Sequence, residues 1–303
     1  MKELVRQSLA LIPLALLAGC GGGSFNSNNP VTAAAPTLPG SGSSNPAGGG
    51  STGSGTGSTT GSGTGSTTGG TTGSTPTGSS APATPGIPAD AKAINDIQTL
   101  PSWESCTDCA NSAFAAYSMT EQVASPALSG AAAKFSLEGG TAPFGGALWW
   151  KYLTTDGNAS HFVYDLYFYM EDPSAAQALE FNVGQSVGGS RYDFATQCDL
   201  DSFSDHTWRV WNPTKQGWTP SGAYCPQPAA KAWNHLVWEF ERNTSGQVVF
   251  KAVTLNDKRS EINVSMPAQA DSSNGIDVAF QLDANRDAAL YSVWLDKVSL
   301  KYW

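Results

Sequence analysis

Paired carboxylates are the first chemistry to look for in a 303-residue chain of net charge −9. Two carboxyls about 5–5.5 Å apart would cleave a glycosidic bond with retention, and alternate positions on one strand face provide that spacing. Glu180 is followed at alternate positions by Asn182 and Gly184, so its partner is missing along the strand. Glu239 and Glu241 have the spacing, but a solvated outer strand face explains them better. Asp283, Asn285 and Asp287 space three oxygen ligands as a calcium loop would. That run lacks the glycine and glutamate such a loop needs, and a turn between strands fits it better. His161, His206 and His235 are scattered, so no zinc site is expected, and no cofactor or metal is assigned. Three histidines leave a Ser/His/Asp triad open, but no nucleophile elbow of the G-x-S-x-G type is expected. The aromatics remain: Trp149, Trp150, Trp208, Trp211, Trp218, Tyr167, Tyr169 and Trp294 are many for one domain. Sugars offer apolar C–H faces that stack on such rings, while amides and carboxylates take hydroxyls. Burial claims some of these rings, since Trp is highly buried on average.

Strands must position these groups. Helical periodicity is scarce, and short β-rich runs alternate with Gly, Asn, Asp and Pro turns. Strands are expected over 131–138, 146–153, 161–170, 177–184, 191–196, 206–211, 235–242, 247–255, 276–283 and 291–302. Asn243–Gly246 and Asn256-Asp257 read as tight turns. Successive side chains alternate between faces. Phe162, Tyr164, Leu166 and Phe168 therefore share one face; so do Leu179, Phe181 and Val183, then Val278, Phe280 and Leu282, then Val293 and Leu295. Their odd partners are Asp165, Tyr167, Tyr169, Glu180, Asn182, Gln281, Asp283 and Trp294. Two packed sheets would make these eight one polar-aromatic surface, provided the strands are neighbours in one sheet.

Composition divides the chain. Residues 1–20 carry Lys2 and Arg6, then an apolar run from Leu9 to Ala18 that is too short to span a bilayer. They read as a processing signal. The segment ends Leu17-Ala18-Gly19-Cys20, which resembles the bacterial lipobox. That resemblance implies cleavage before Cys20, a lipid on its sulfur and new amine, and an exported protein whose partner is a membrane. With Gly21 next, it implies sorting to the outer membrane if the host has two. Residues 21–91 are almost all Gly, Ser, Thr, Pro, Ala and Asn, with GSGTGSTT at 53–60 and again at 61–68 and no sizeable apolar cluster. Such a stretch cannot bury enough apolar surface to order itself, and it reads as a linker of roughly 45 Å reach. All ten Trp lie in 92–303, which is large enough for one core. An acidic domain without a Lys/Arg cluster is a poor nucleic-acid binder. Cys106, Cys109, Cys198 and Cys225 suit an oxidising compartment. Of the three pairings, Cys106–Cys109 with Cys198–Cys225 is favoured.

Three motifs carry a resemblance to a known fold. Ala178-Leu179-Glu180-Phe181-Asn182 resembles the [AV]-x-E-F-D strand of legume-type lectins and related glucanases. Ala232-Trp233-Asn234-His235-Leu236 with Gly246–Phe250 resembles the W-x-H…G-x-V hairpin of laminin-G-like domains. Trp294–Leu300 resembles the closing strand of bacterial jelly rolls. Together they imply an all-β, two-sheet antiparallel jelly-roll sandwich of the concanavalin-A-like kind. The resemblance implies a lectin-like module whose partner is a polysaccharide or glycan. A polysaccharide-cleaving enzyme on the same fold and an adhesive surface protein with no small ligand are the alternatives. Asn182 stands where those lectins use a metal-ligating Asp.

Overall fold

The computed structural model describes residues 86–107, 112–201 and 205–303. The expected signal peptide, Cys20, Cys109 and most of the linker lie outside the described residues. The strands are β1 Lys92–Ile94, β2 Glu104–Cys106, β3 Ala116–Val123, β4 Ala132–Glu138, β5 Gly146–Thr154, β6 His161–Met170, β7 Ala176–Val187 and β8 Ser190–Asp199. They continue with β9 Thr207–Asn212, β10 Gly217–Tyr224, β11 Ala232–Arg242, β12 Gln247–Leu255, β13 Lys258–Pro267, β14 Gln269–Ala270, β15 Gly275–Ala284 and β16 Ser292–Tyr302. Sheet A runs β13-β12-β11-β6-β16-β4-β3, with β1 also on β16. Sheet B runs β10-β9-β8-β7-β15-β5-β2, with β14 also on β8. Neighbouring strands pair antiparallel, and the chain is the expected all-β sandwich of two antiparallel sheets.

The core lies between the sheets and uses the apolar faces that alternation assigns. Leu179, Phe181, Val183, Val278, Phe280 and Leu282 of sheet B meet Phe162, Tyr164, Leu166, Phe168, Val293 and Leu295 of sheet A. Ring pairs bridge the gap: Phe168–Phe181 at 5.5 Å, Phe135–Phe280 at 5.1 Å and Trp208–Trp238 at 5.2 Å. Edge-to-face and offset pairs at such distances add to the area they bury.

Each expected strand is present, and 161–170 and 247–255 match to the residue. The longer strands not expected were β3, β10 and β13. Each lies at the end of a sheet. Edge strands pack on one flank only, so their alternation is diluted by half-exposed polar residues; β10 even carries Pro220. Asn256 and Asp257 hold left-handed φ of 49° and 63° between β12 and β13, the two-residue turn a hairpin favours. Cys198 and Cys225 are bonded, with Cα atoms 5.8 Å apart. Closing that loop stabilises the fold by roughly 3–4 kcal/mol in the chain-entropy model. Cys106 is also disulfide-bonded.

Candidate polar face on sheet B

The eight residues expected to share a surface do not share one. Asp165, Tyr167 and Tyr169 lie on β6 and Trp294 on β16, all in sheet A. Glu180 and Asn182 lie on β7, Gln281 and Asp283 on β15, all in sheet B. Each side chain does point away from the core, but on opposite sides of the sandwich. Alternation assigns a face within a strand, and sheet membership is a long-range matter: β6 and β7 are consecutive yet belong to different sheets. The sheet B quartet is also deep-set rather than displayed, with Glu180 2%, Asn182 4%, Gln281 2% and Asp283 1% exposed. Ser112 sits over Gly146 beside Asp283, and Leu148 and Ala279 pack with Cys106 and Trp150 on this face.

On sheet A, half-exposed Asp165, Tyr167 and Tyr169 and buried Trp294 form a patch with their neighbours on β11. The His235 ring stacks on Tyr167 at 4.3 Å, and its Nε2 bonds Asp165 Oδ1 at 2.7 Å. Tyr169 packs between Trp233 and Trp294 at 5.7 and 5.6 Å, and Lys134 Nζ stands 5.1 Å over Trp294. Asp296, opposite Tyr167, is fully buried. It accepts from the backbone N–H of Leu128, Ser129 and Lys297, the Ser129 hydroxyl and Gln98 Nε2. Glu239 is closed by Arg259 and Glu241 by Lys251, as a solvated strand face requires.

On sheet B one register row crosses all seven strands of the path: Cys106, Leu148, Gln281, Glu180, Gln197, Arg209 and Pro220. Gln197 Nε2 donates to Glu180 Oε1 at 3.3 Å, and Gln281 Nε2 donates to Asp283 Oδ1 at 2.9 Å. Burial pushes the Glu180 carboxyl well above its usual range, and the charge of Asp283 pushes it further. Burial likewise pushes Asp283 up to about 7, against the bonds from Gln281 and Glu180. The two form one titrating pair that keeps a proton near neutrality. The partner carboxylate absent along the Glu180 strand thus comes from β15, one position diagonal to Gln281. Burial also raises Asp193, and the adjacent Arg191 charge opposes that rise. Arg191 forks onto Asp277 at 2.8 and 2.9 Å. Gly184 makes room for this pair; a Cβ there would stand 2.7 Å from Asp277 Oδ1.

Five buried atoms on the same face lack a partner: Asp283 Oδ2, Gln197 Oε1, Arg209 Nε, Trp211 Nε1 and Trp218 Nε1. Such atoms also occur elsewhere among the described residues, as Trp294 Nε1 on the outer side of sheet A and Tyr164 Oη and Trp238 Nε1 in the core. Trp211 pairs with Trp218 across β9 and β10, with rings 5.5 Å apart. Buried polar groups in native proteins almost always find a partner, so five such atoms on one face call for one. Two are acceptors and three are donors. Half-exposed Trp150, Trp218, Arg209 and Asp277 lie on that face as well. Gln197 lies one residue past the strand expected over 191–196, and Arg209 lies within the strand expected over 206–211, where its single charge marks no face. The polar alternation Asp193, Ala195, Gln197, Asp199 was the available signal.

Other features do not compete. Asn285 Oδ1 accepts from the N–H of Asp287 and Ala289, so this run closes a turn, as expected. A cavity of about 600 Å³ opens beside that turn, lined by Ser174, Asp201, His206 and Asp287 among others. Gly184-Gln185-Ser186-Val187-Gly188 fits G-x-S-x-G, against the expectation that no such motif occurs. It ends β7 and enters a hairpin rather than a helix, and Ser186 Oγ donates to Asp271 at 2.6 Å.

No family model matches the chain. No curated protein matches it either. Solved structures with a similar fold include a carbohydrate esterase from the Shiga toxin-encoding bacteriophage phi24B, at 12% identity and TM-score 0.41, covering 70% of this chain and 99% of that one. Peanut lectin is similar at 10% and 0.40, covering 71% and 97%. A family 11 carbohydrate-binding module from Clostridium thermocellum, in complex with a β-1,3-1,4-mixed-linked tetrasaccharide, is similar at 14% and 0.33, covering 69% and 94%. At these identities and scores the likeness bears on neither ligand nor activity.

Proposed function

We propose that this protein is a surface-anchored, lectin-like module that binds a polysaccharide or glycan on the outer face of sheet B without cleaving it. The observation that carries the reading is the set of unmatched polar atoms there. A sugar hydroxyl both donates and accepts, so a run of hydroxyls answers a mixed set of donors and acceptors where a purely donating or accepting ligand would not. Trp218, half-exposed on the same face, offers a stacking surface at its approach. The lipobox at Cys20 and the Gly/Ser/Thr linker would hold the domain at a membrane while leaving it reach. Cys20→Ser should abolish labelling by a palmitate analogue and move the protein to the soluble fraction; continued labelling would remove the anchor from this account.

One observation favours a second reading. Glu180 and Asp283 are buried, burial raises both carboxyls, and they lie on neighbouring strands, an arrangement that acid–base catalysis also uses. A polysaccharide panel scored for both retention and reducing-end release separates the two. Retention without release supports binding alone. Release that disappears in Glu180→Gln supports the hydrolase, and neither retention nor release rejects both.

A further inference from the structure

Taking sheet B as the glycan face proposed above, we infer that it selects uncharged glycans and excludes acidic ones. Five carboxylates point from this face: Glu180, Asp193, Asp199, Asp277 and Asp283. Two guanidinium groups stand among them, and carboxylates already engage both. Arg191 forks onto Asp277 and reaches Asp193 at 3.4 Å. Arg209 holds Asp199 at 2.6 Å and Asp205 at 3.2 Å.

A uronate or sulfate arriving here needs a cation to replace its water. It would have to take a guanidinium from a carboxylate it already holds, leaving that carboxylate behind as an uncompensated buried charge. It would also approach a row of like charge. A neutral hydroxyl meets no such barrier. Gln281 and Gln197 present amides along the row, and the Glu180–Asp283 pair retains one carboxyl proton to donate. The chain as a whole, at net charge −9, repels a polyanion before contact.

The test uses matched polysaccharides on several backbones, each in a hydroxyethyl form and a carboxymethyl form, so that substituent size is held while charge changes. Affinity electrophoresis of the exported protein should show retardation by hydroxyethyl forms and about hundredfold weaker retardation by carboxymethyl forms. Asp199→Asn, with folding checked by thermal melt, removes one charge from the row and loosens the hold on Arg209, so it should narrow that ratio about tenfold. Equal or stronger retardation by carboxymethyl forms would overturn the inference. If Gln197→Ala still abolished that retardation, glycan binding at sheet B would stand while the selectivity fell. No retardation by any form, acidic or neutral, would sink the binding reading and the inference with it.

Discussion

Asp296 and Asp283 are both buried aspartates, on opposite sheets, and their carboxyls are driven in opposite directions. Burial pushes Asp296 up, but bonds from Ser129, Leu128 and Lys297 outweigh it and hold the carboxyl below its usual range. Burial pushes Asp283 up as well, and there the bonds from Gln281 and Glu180 do not compensate. Around Asp296 the protein supplies the donors itself, and Asp165, Glu239 and Glu241 on the same sheet are likewise closed by His235, Arg259 and Lys251. Around Asp283 no donor but Gln281 and the Glu180 carboxyl reaches the group, and four further atoms on that face have no partner. The lesson is that display is a poor guide to a site. The aromatic patch on sheet A closes its carboxylates and leaves Trp294 Nε1 unmatched, while the deep-set row on sheet B has more chemistry left over.

Breaking the comparison begins with the two aspartates. Asp296→Ala strands several buried donors and should cost at least about 3 kcal/mol in urea denaturation. Asp283→Asn keeps the shape, removes a buried charge and should change stability by less than about 1 kcal/mol at pH 7, in either direction. Comparable losses from both would erase the difference between the faces.

Binding separates them next. Gln197→Ala should weaken retention on a bound polysaccharide by about 5–100-fold, from roughly 1–3 kcal/mol for a lost buried partner. Tyr167→Ala on sheet A should leave it within about twofold. The reverse result would move the site to sheet A.

The smallest effect is in pH. Unfolded Asp283 titrates near 3.8 and folded Asp283 at about 7, so the folded state holds the extra proton between those values. That stabilisation is fully present below about pH 4 and fades as pH rises through 7. The melting temperature should therefore fall by several degrees from pH 5 to 8, since about 1 kcal/mol moves it by about 2–4 °C in a domain of this size. Carboxyls held below their usual range, such as Asp271 and Asp296, act in the opposite sense and only as pH falls below about 4. Glu180→Gln should flatten the slope between pH 5 and 8; an unchanged slope would show that the pair does not share a proton.

Much of the fold was legible because alternation is local. The inner faces of β6, β7, β15 and β16 could be read directly, since a hydrophobic residue at every second position leaves few other solutions. The site was half legible for the same reason. Glu180, Asn182, Gln281 and Asp283 were named, and β7 and β15 do bring them together, with Glu180 directly opposite Gln281. Joining them to Asp165, Tyr167, Tyr169 and Trp294 required knowing which strands are neighbours, and no local pattern encodes that. The second carboxylate was sought along the strand, where spacing is visible, and it lies across strands, where it is not. Whether an outward face is covered is also decided by loops such as the one bearing Ser112, which carry no periodicity.

The most direct measurement follows the indole N–H signals of the folded domain as fragments of a retained, uncharged polysaccharide are added. Trp211 and Trp218 mark the row on sheet B, and Trp233 and Trp294 mark the aromatic patch on sheet A; the Nε1 atoms of Trp211, Trp218 and Trp294 are all unmatched. The account requires the Trp211 and Trp218 resonances to shift and saturate while those of Trp233 and Trp294 stay in place. Saturable shifts at Trp233 and Trp294, with Trp211 and Trp218 unmoved, would contradict it.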